Sequence, residues 1–267
     1  MKKILVTGAN SYIGRSFQNL VAQFPDKYTI DAISVRDDSW KERSFIGYEV
    51  VFHTAAIVHV KENDTAKYFK VNRDLTVELA KKAKKEGVNQ FIFLSTMGVY
   101  GKNGKIGDEV IITKDTIPRP KTYYGMSKLE AEKELMKLTD NKFKIAILRP
   151  PIVYGPNCPG NYAKLEKLAL KTPLFPMIHN QRSMINIEKL SADLKKYVDI
   201  EAHGILFPQD DEYINTSLMV QKIAEQHGRK IILTKSLGWL IKLFGSKVGV
   251  FNKVFGNLVY EKVDIKN

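Results

Sequence analysis

A single cysteine, Cys158, is present among the 267 residues, and no Cys/His cluster stands at zinc-ligand spacing. An internal disulfide framework is thereby excluded, and a reduced, cytoplasmic setting fits best. Long apolar runs are also missing: no window reaches the roughly 18 uninterrupted apolar residues of a membrane span. The opening MKKILVTGAN breaks into Gly and Asn too early for the apolar region of a secretory signal. Acidic residues are in deficit, 29 against 42 Lys and Arg, for a net charge of +13. The lysines are spread along helical stretches such as LAKKAKKEG and KLEAEKELMKL, where they read as solvated faces. Nucleic acid is therefore not an expected partner, and a polyanionic small ligand accounts better for the charge.

What the chain does have is apolar content, 44% of its residues, enough for one substantial core with a small appendage. Strand-like and helix-like stretches alternate from KKILVTG to KIAIL, and VVFHTA, QFIFL and KIAIL are apolar almost throughout. The pattern predicts an α/β fold, a doubly wound parallel sheet whose strands are buried on both faces. TAKYFKVNRDLTVELAKKAKKEG reads as one long helix. The sheet core is expected over residues 1–150, with 182–203 returning to it. The Pro- and Gly-rich PPIVYGPNCPGN opens a smaller lid, expected over 151–181 and 204–267.

Directly after the first strand comes TGANSYIG, with Gly8 and Gly14 flanking Ser11. A strand, a glycine turn and a helix N-terminus form a cradle for a dinucleotide pyrophosphate, with Asn10, Ser11, Tyr12 and Ile13 lining it. The second strand ends AISVRDDSW, where Arg36 can pair with a 2'-phosphate while Asp37 and Asp38 keep a ribose-diol contact open. NADP(H) is favoured over NAD(H). Arg36 as a plain solvent-facing residue remains the alternative, and Trp40 either covers an adenine or packs in the core. Farther on, Tyr124 and Lys128 lie four residues apart in YGMSK, on one face of a helix. That spacing suits a phenol exchanging a proton beside an ammonium.

Taken in order, TGANSYIG, HTAA (53–56), STMGVYG (95–101), YGMSK (124–128) and LRPPIVYGP (148–156) resemble the extended short-chain dehydrogenase/reductases, in the NAD-dependent epimerase/dehydratase group. FIFLSTMGVYGK, RPPIVYGPNCPGN, NQRSMINIEKL and FGNLVYE look most like bacterial reductases of UDP-linked 4-keto-6-deoxy-N-acetylhexosamines used for surface polysaccharide. The resemblance implies that Thr96, Tyr124 and Lys128 are catalytic. It implies cofactor contacts from Ala55, Ala56, Asn72, Ser95, Pro151 and Ile152, and substrate contacts from Met97, Asn161, Asn180 and Arg182, the last gripping a nucleotide diphosphate. A nucleotide-sugar substrate is expected, no metal, and a homodimer is allowed.

The departures narrow the reading. Met97 and Gly98 stand where dehydratases carry an Asp-Glu pair, and Ile152 stands where epimerases of the branch commonly have Asn. A 4-epimerase and a non-catalytic nucleotide sensor are the rivals. The apolar, basic LGWLIKLFGSKVGVFNKVFGNLVYEK is interrupted by glycines at 238, 245, 249 and 256, and is expected to form helices of the lid that pack on substrate or sheet rather than lie on a membrane.

Overall fold

The computed structural model describes residues 1–58, 64–244 and 249–262; Gly245 lies outside them. In chain order the elements begin β1 (Lys2–Thr7), α1 (Tyr12–Val21), β2 (Tyr28–Ile33), β3 (Val50–His53), α2 (Thr65–Phe69), α3 (Leu75–Lys85), β4 (Gln90–Leu94) and β5 (Ile111–Ile112). They continue α4 (Tyr123–Met136), β6 (Lys144–Leu148), β7 (Ile152–Tyr154), α5 (Asn161–Lys171), β8 (Leu174–Pro176), β9 (Met184–Asn186) and α6 (Ile187–Asp199). The last are β10 (Gly204–Leu206), α7 (Thr216–Gln226), β11 (Ile232–Thr234), α8 (Lys235–Phe244), α9 (Gly249–Phe255) and β12 (Val259–Tyr260).

The chain divides into two compact units, and the first comprises Met1–Gly101, Pro118–Pro150 and Ile187–Pro208. Its six-stranded parallel sheet has the order β10-β6-β4-β3-β1-β2. In each strand alternate residues serve opposite layers, which is why the runs are apolar throughout. Leu5, Val51, Phe91, Phe93, Ile145 and Ile147 join Leu79, Ala80 and Ala83 of α3 and Ala131 and Leu135 of α4 in one core cluster. On the other layer Phe17 of α1 meets Phe52 edge to face at 5.3 Å, and Leu190 and Leu194 of α6 are fully buried. The strand order reverses between β1 and β3, the place where open parallel sheets form a crevice at their carboxyl ends.

The second unit comprises Lys102–Ile117, Pro151–Asn186 and Gln209–Asn267. Three short parallel pairs, β5 with β12, β7 with β9 and β8 with β11, frame it. Phe175 and Phe255 pack at 5.6 Å between ring centres.

Both boundaries of the expected lid shift. Residues 102–117 join the second unit because Ile111 and Ile112 pair with Val259 and Tyr260. The returning segment is Ile187–Pro208 rather than 182–203, since Gly204–Leu206 adds a strand beside β6, while Arg182 bridges to Ile214 and Leu258. The long helix expected from residue 65 is also interrupted: Lys70–Asp74 forms a π-helical turn. From the first turn of α3 the Thr76 hydroxyl donates back to the Asn72 carbonyl of the π-helical turn at 2.9 Å, a side-chain competitor of the kind that distorts a helix ladder.

Candidate active site

The glycine turn is held by a chain of hydroxyls. Ser11 caps α1, its Oγ accepting from the Gly14 N–H at 2.9 Å. It lies 2.7 Å from Thr54 Oγ1, which donates to the Thr7 carbonyl at 2.9 Å. With Thr54 donating there, Ser11 is the donor to Thr54. Gly8 has φ of +91°, and a Cβ on it would lie 2.7 Å from the Ala55 nitrogen; one on Gly14 would lie 2.6 Å from Ser11 Oγ. These two positions therefore admit no side chain, and the ends of β1 and β3 approach closely. The first turn of α1 has no acidic residue, so its N-terminal dipole faces no competing carboxylate. Tyr12 and Ile13 begin that turn, Ala55 and Ala56 are half-buried, and exposed Asn10 accepts from Arg15 at 2.6 Å.

At the end of β2, Arg36 is exposed and its guanidinium has no partner among the described residues. Asp37 accepts from the Ser39 N–H at 3.0 Å, and Asp38 pairs with Lys41 at 3.2 Å. Trp40 is in the core cluster, 3% exposed, which removes it as an adenine cover.

The Tyr/Lys helix is set against the 97–100 turn by Gly125, whose Cβ would stand 3.0 Å from the Gly98 carbonyl. Thr122 caps the helix, accepting from the Gly125 N–H at 3.1 Å. The inward stripe of α4 then carries Tyr124, half-buried, and Lys128 and Glu132, both buried. Tyr123 points away, 52% exposed. Lys128 Nζ donates to the Leu94 carbonyl at 2.8 Å and stands 4.4 Å from the centre of the Phe93 ring. Burial brings its pKa down to about 7, with Glu132 acting in the opposite direction. Burial likewise pushes the Tyr124 phenol up to about 12. Thr96 caps the turn, its Oγ1 accepting from the Gly98 N–H at 3.0 Å, which leaves its own proton free to donate. Met97 is buried.

Two residues that the sequence reading did not single out anchor this stripe. Arg149 donates to Glu132 through Nε, at 3.1 and 3.2 Å, and through Nη2 at 2.5 Å. It also donates to the Tyr100 hydroxyl at 2.7 Å, and Ser95 donates to Glu132. Glu132 follows Lys128 by the same four residues that separate Lys128 from Tyr124, and that was the available signal. Ser95 is thus engaged with the buried pair. Asn72 is also fully buried: its Oδ1 accepts from the Ile57 N–H at 2.9 Å, and its Nδ2 donates to the Ile57 carbonyl at 3.0 Å and to Ser127 at 3.1 Å. Its amide positions the chain after β3 against α4. His53, whose Nε2 lies 2.9 Å from Thr76 Oγ1, is kept neutral by burial and by Lys128, its pKa pushed down to about 3.

The remaining expected site residues belong to the second unit. Pro151 is buried and Ile152 half-buried at the start of β7, and Asn161 is exposed at the start of α5. The Asn180 amide is occupied, accepting from the Thr216 N–H at 2.9 Å and donating to Thr216 Oγ1 at 3.0 Å. Arg182 is 9% exposed and donates to the Gly256 carbonyl at 2.9 Å. It makes no ion pair among the described residues, and burial lowers its pKa. No group of His, Cys, Asp and Glu among the described residues could hold a metal ion.

The chain is 30% identical to the UDP-glucose 4-epimerase of Vibrio cholerae over its whole length, covering 88% of that protein. It shares the fold of the UDP-glucuronic acid 4-epimerase of Bacillus cereus solved with NAD, with a TM-score of 0.71 at 20% identity over 98% of this chain and 90% of that one. It also shares the fold of the dTDP-4-dehydrorhamnose reductase of Bacillus anthracis solved with NADP, with a TM-score of 0.71 at 18% identity over 90% and 86%. The model of the NAD dependent epimerase/dehydratase family matches residues 4–172, and the chain belongs to that family.

Proposed function

We propose that the protein reduces the C4 ketone of a nucleotide-linked 6-deoxy-N-acetylhexosamine, carried on UDP, during synthesis of surface-polysaccharide precursors, with NADP(H) preferred to NAD(H). The observation that carries the reading is the inward stripe of α4, where half-buried Tyr124 is followed one turn later by buried Lys128, whose Nζ is fixed on the Leu94 carbonyl at 2.8 Å. Burial raises the Tyr124 pKa, which keeps the group a phenol able to give a proton to a carbonyl oxygen.

The residues present fit a dinucleotide. Gly8 and Gly14 leave the turn bare where a Cβ would intrude, and the helix start beyond them is free of acid. When bound, the nicotinamide supplies the hydride. Tyr124 holds the proton for the carbonyl oxygen, Thr96 donates a hydrogen bond to that oxygen, and Lys128, fixed by the Leu94 carbonyl, keeps two N–H groups for the phenol's surroundings and a ribose hydroxyl. Met97 and Gly98, not carboxylates, stand immediately after Thr96, so the set lacks the acid and base that dehydration requires there. Arg182, a buried cation with no carboxylate partner among the described residues, suits a diphosphate. The free guanidinium of Arg36, beside two aspartates already engaged locally, favours the 2'-phosphate cofactor.

A 4-epimerase is the second reading, favoured by the full-length identity to the Vibrio cholerae enzyme. Incubating the protein with NADPH or NADH and a panel of UDP- and dTDP-linked 4-keto sugars separates the two. Stoichiometric cofactor consumption with a nucleotide-linked 4-ketohexose, and little with the free ketosugar, is expected. Interconversion of UDP-glucose and UDP-galactose without added cofactor replaces the reductase by the epimerase.

A further inference from the structure

The C-terminal stretch was expected to pack inward, and part of it does: Phe255, Leu258, Val259 and Tyr260 are buried. The helix α8 does not follow. Its Trp239 is 61% exposed, Leu240 45% and Leu237 38%, and Val250 at the start of α9 is 66% exposed. Gly238 fixes which side faces the protein, since a Cβ there would collide with the Met177 carbonyl at the end of β8. At about 100° per residue, Ser236, Leu237, Trp239 and Leu240 fan out over the opposite side of the helix. A Trp and two Leu turned to water on one short helix form a patch that folding alone does not explain.

The sequence on either side of that patch carries charge of one sign. From residue 226 to residue 260 the sequence holds six Lys and Arg and no Asp or Glu. Among them Arg229, Lys230, Lys235 and Lys253 are exposed. No helix of the described residues is long and apolar enough to cross a membrane, and ten residues of α8 span only about 15 Å.

We propose that the Leu237, Trp239 and Leu240 face of α8 docks in the interface of a lipid bilayer that carries anionic headgroups. Trp and Leu sink to the boundary between headgroups and acyl chains, and the surrounding cations meet the negative surface, which is the chemistry of a helix lying in the membrane plane. A second copy of this chain fits the patch poorly, because a two-fold contact would set the same acid-free basic segment against itself. The docking is reversible and weakens with salt. It is independent of the assignment of substrate.

The chain contains its own reporter. Of its two tryptophans, Trp40 is sealed in the core and Trp239 is exposed, so a change in emission on adding vesicles reports α8. The full chain is sedimented with vesicles of phosphatidylcholine alone and with added phosphatidylglycerol, at low and high salt. Partitioning onto the anionic vesicles should exceed that onto neutral ones by about tenfold or more, fall with salt, and shift Trp emission to the blue. Trp239→Ser with Leu240→Ser, and separately Lys235→Glu with Lys253→Glu, should each lower partitioning by about tenfold with the melting temperature unchanged. Absence of binding to anionic vesicles, equal binding to neutral ones, or binding untouched by both pairs of substitutions overturns the proposal. So does a dimer in lipid-free solution that Trp239→Ser with Leu240→Ser abolishes.

Discussion

Glu132→Gln is the substitution that most directly tests how the Tyr124–Lys128 stripe of α4 is held. It keeps the shape of the side chain and removes a carboxylate that is 3% exposed and bonded to an Arg149 that is 4% exposed. Three N–H···O contacts, at 3.1, 3.2 and 2.5 Å, are lost or weakened, and the Arg149 cation stays buried without its carboxylate. Breaking one side of a buried ion pair typically costs about 3–5 kcal/mol. For a chain of this size that lowers the melting temperature by about 6–20 °C, readable by calorimetry and by denaturant unfolding. Lys128, one turn before Glu132, also loses the charge that opposes its desolvation, so its proton leaves at lower pH and the rate–pH profile moves to the acid side. A double-mutant cycle with Arg149→Gln should return a coupling of about 2 kcal/mol or more. A stability loss under about 1 kcal/mol would falsify the buried-pair argument. Lost stability with an unmoved pH profile would show that Glu132 holds Arg149 but does not act on Lys128.

Tyr124→Phe is expected to abolish turnover while the fold survives, since the hydroxyl belongs to the reaction and the ring is kept; wild-type turnover by a clean preparation removes the assignment. Thr96→Val should cost about 100- to 1000-fold in rate, the value of one hydrogen bond to a developing oxyanion, measured in a single-turnover assay. Arg36→Ala should weaken NADPH by about 1.5–3 kcal/mol and leave NADH nearly unchanged, as read by titration; equal losses for both place Arg36 elsewhere. Unfolded, Lys128 keeps its proton to about pH 10.4; folded, it releases it at about 7. Between these values the unfolded chain binds the extra proton, so wild type should gain stability relative to Lys128→Met as pH rises through that window, and a gain toward low pH would contradict the burial of Lys128.

The parallel sheet and its crevice were legible because their signals are local. Apolar runs mark strands buried on both sides, and a turn that needs Gly8 at φ of +91° admits no other residue. Four-residue spacing likewise puts Tyr124 and Lys128 on one face of a helix. Glu132 lay in the same pattern, but a carboxylate on a charged helix reads as solvent-facing until Arg149 is seen to meet it. Asn72 was readable as a site position, but not as the amide that ties Ile57 to Ser127 from within a π-helical turn.

By itself the amino-acid sequence determined the order of strands and helices, the bare glycine turn, the tyrosine–lysine register and the absence of an acid pair after Thr96, because each depends on residues within a few positions of one another. Tertiary structure alone decided that Trp40 is core and Trp239 surface, that residues 102–117 belong with β12, and that Glu132 and Arg149 form a buried pair. These outcomes depend on which distant segments meet, and burial, unlike periodicity, belongs to the assembled fold rather than to any stretch of chain.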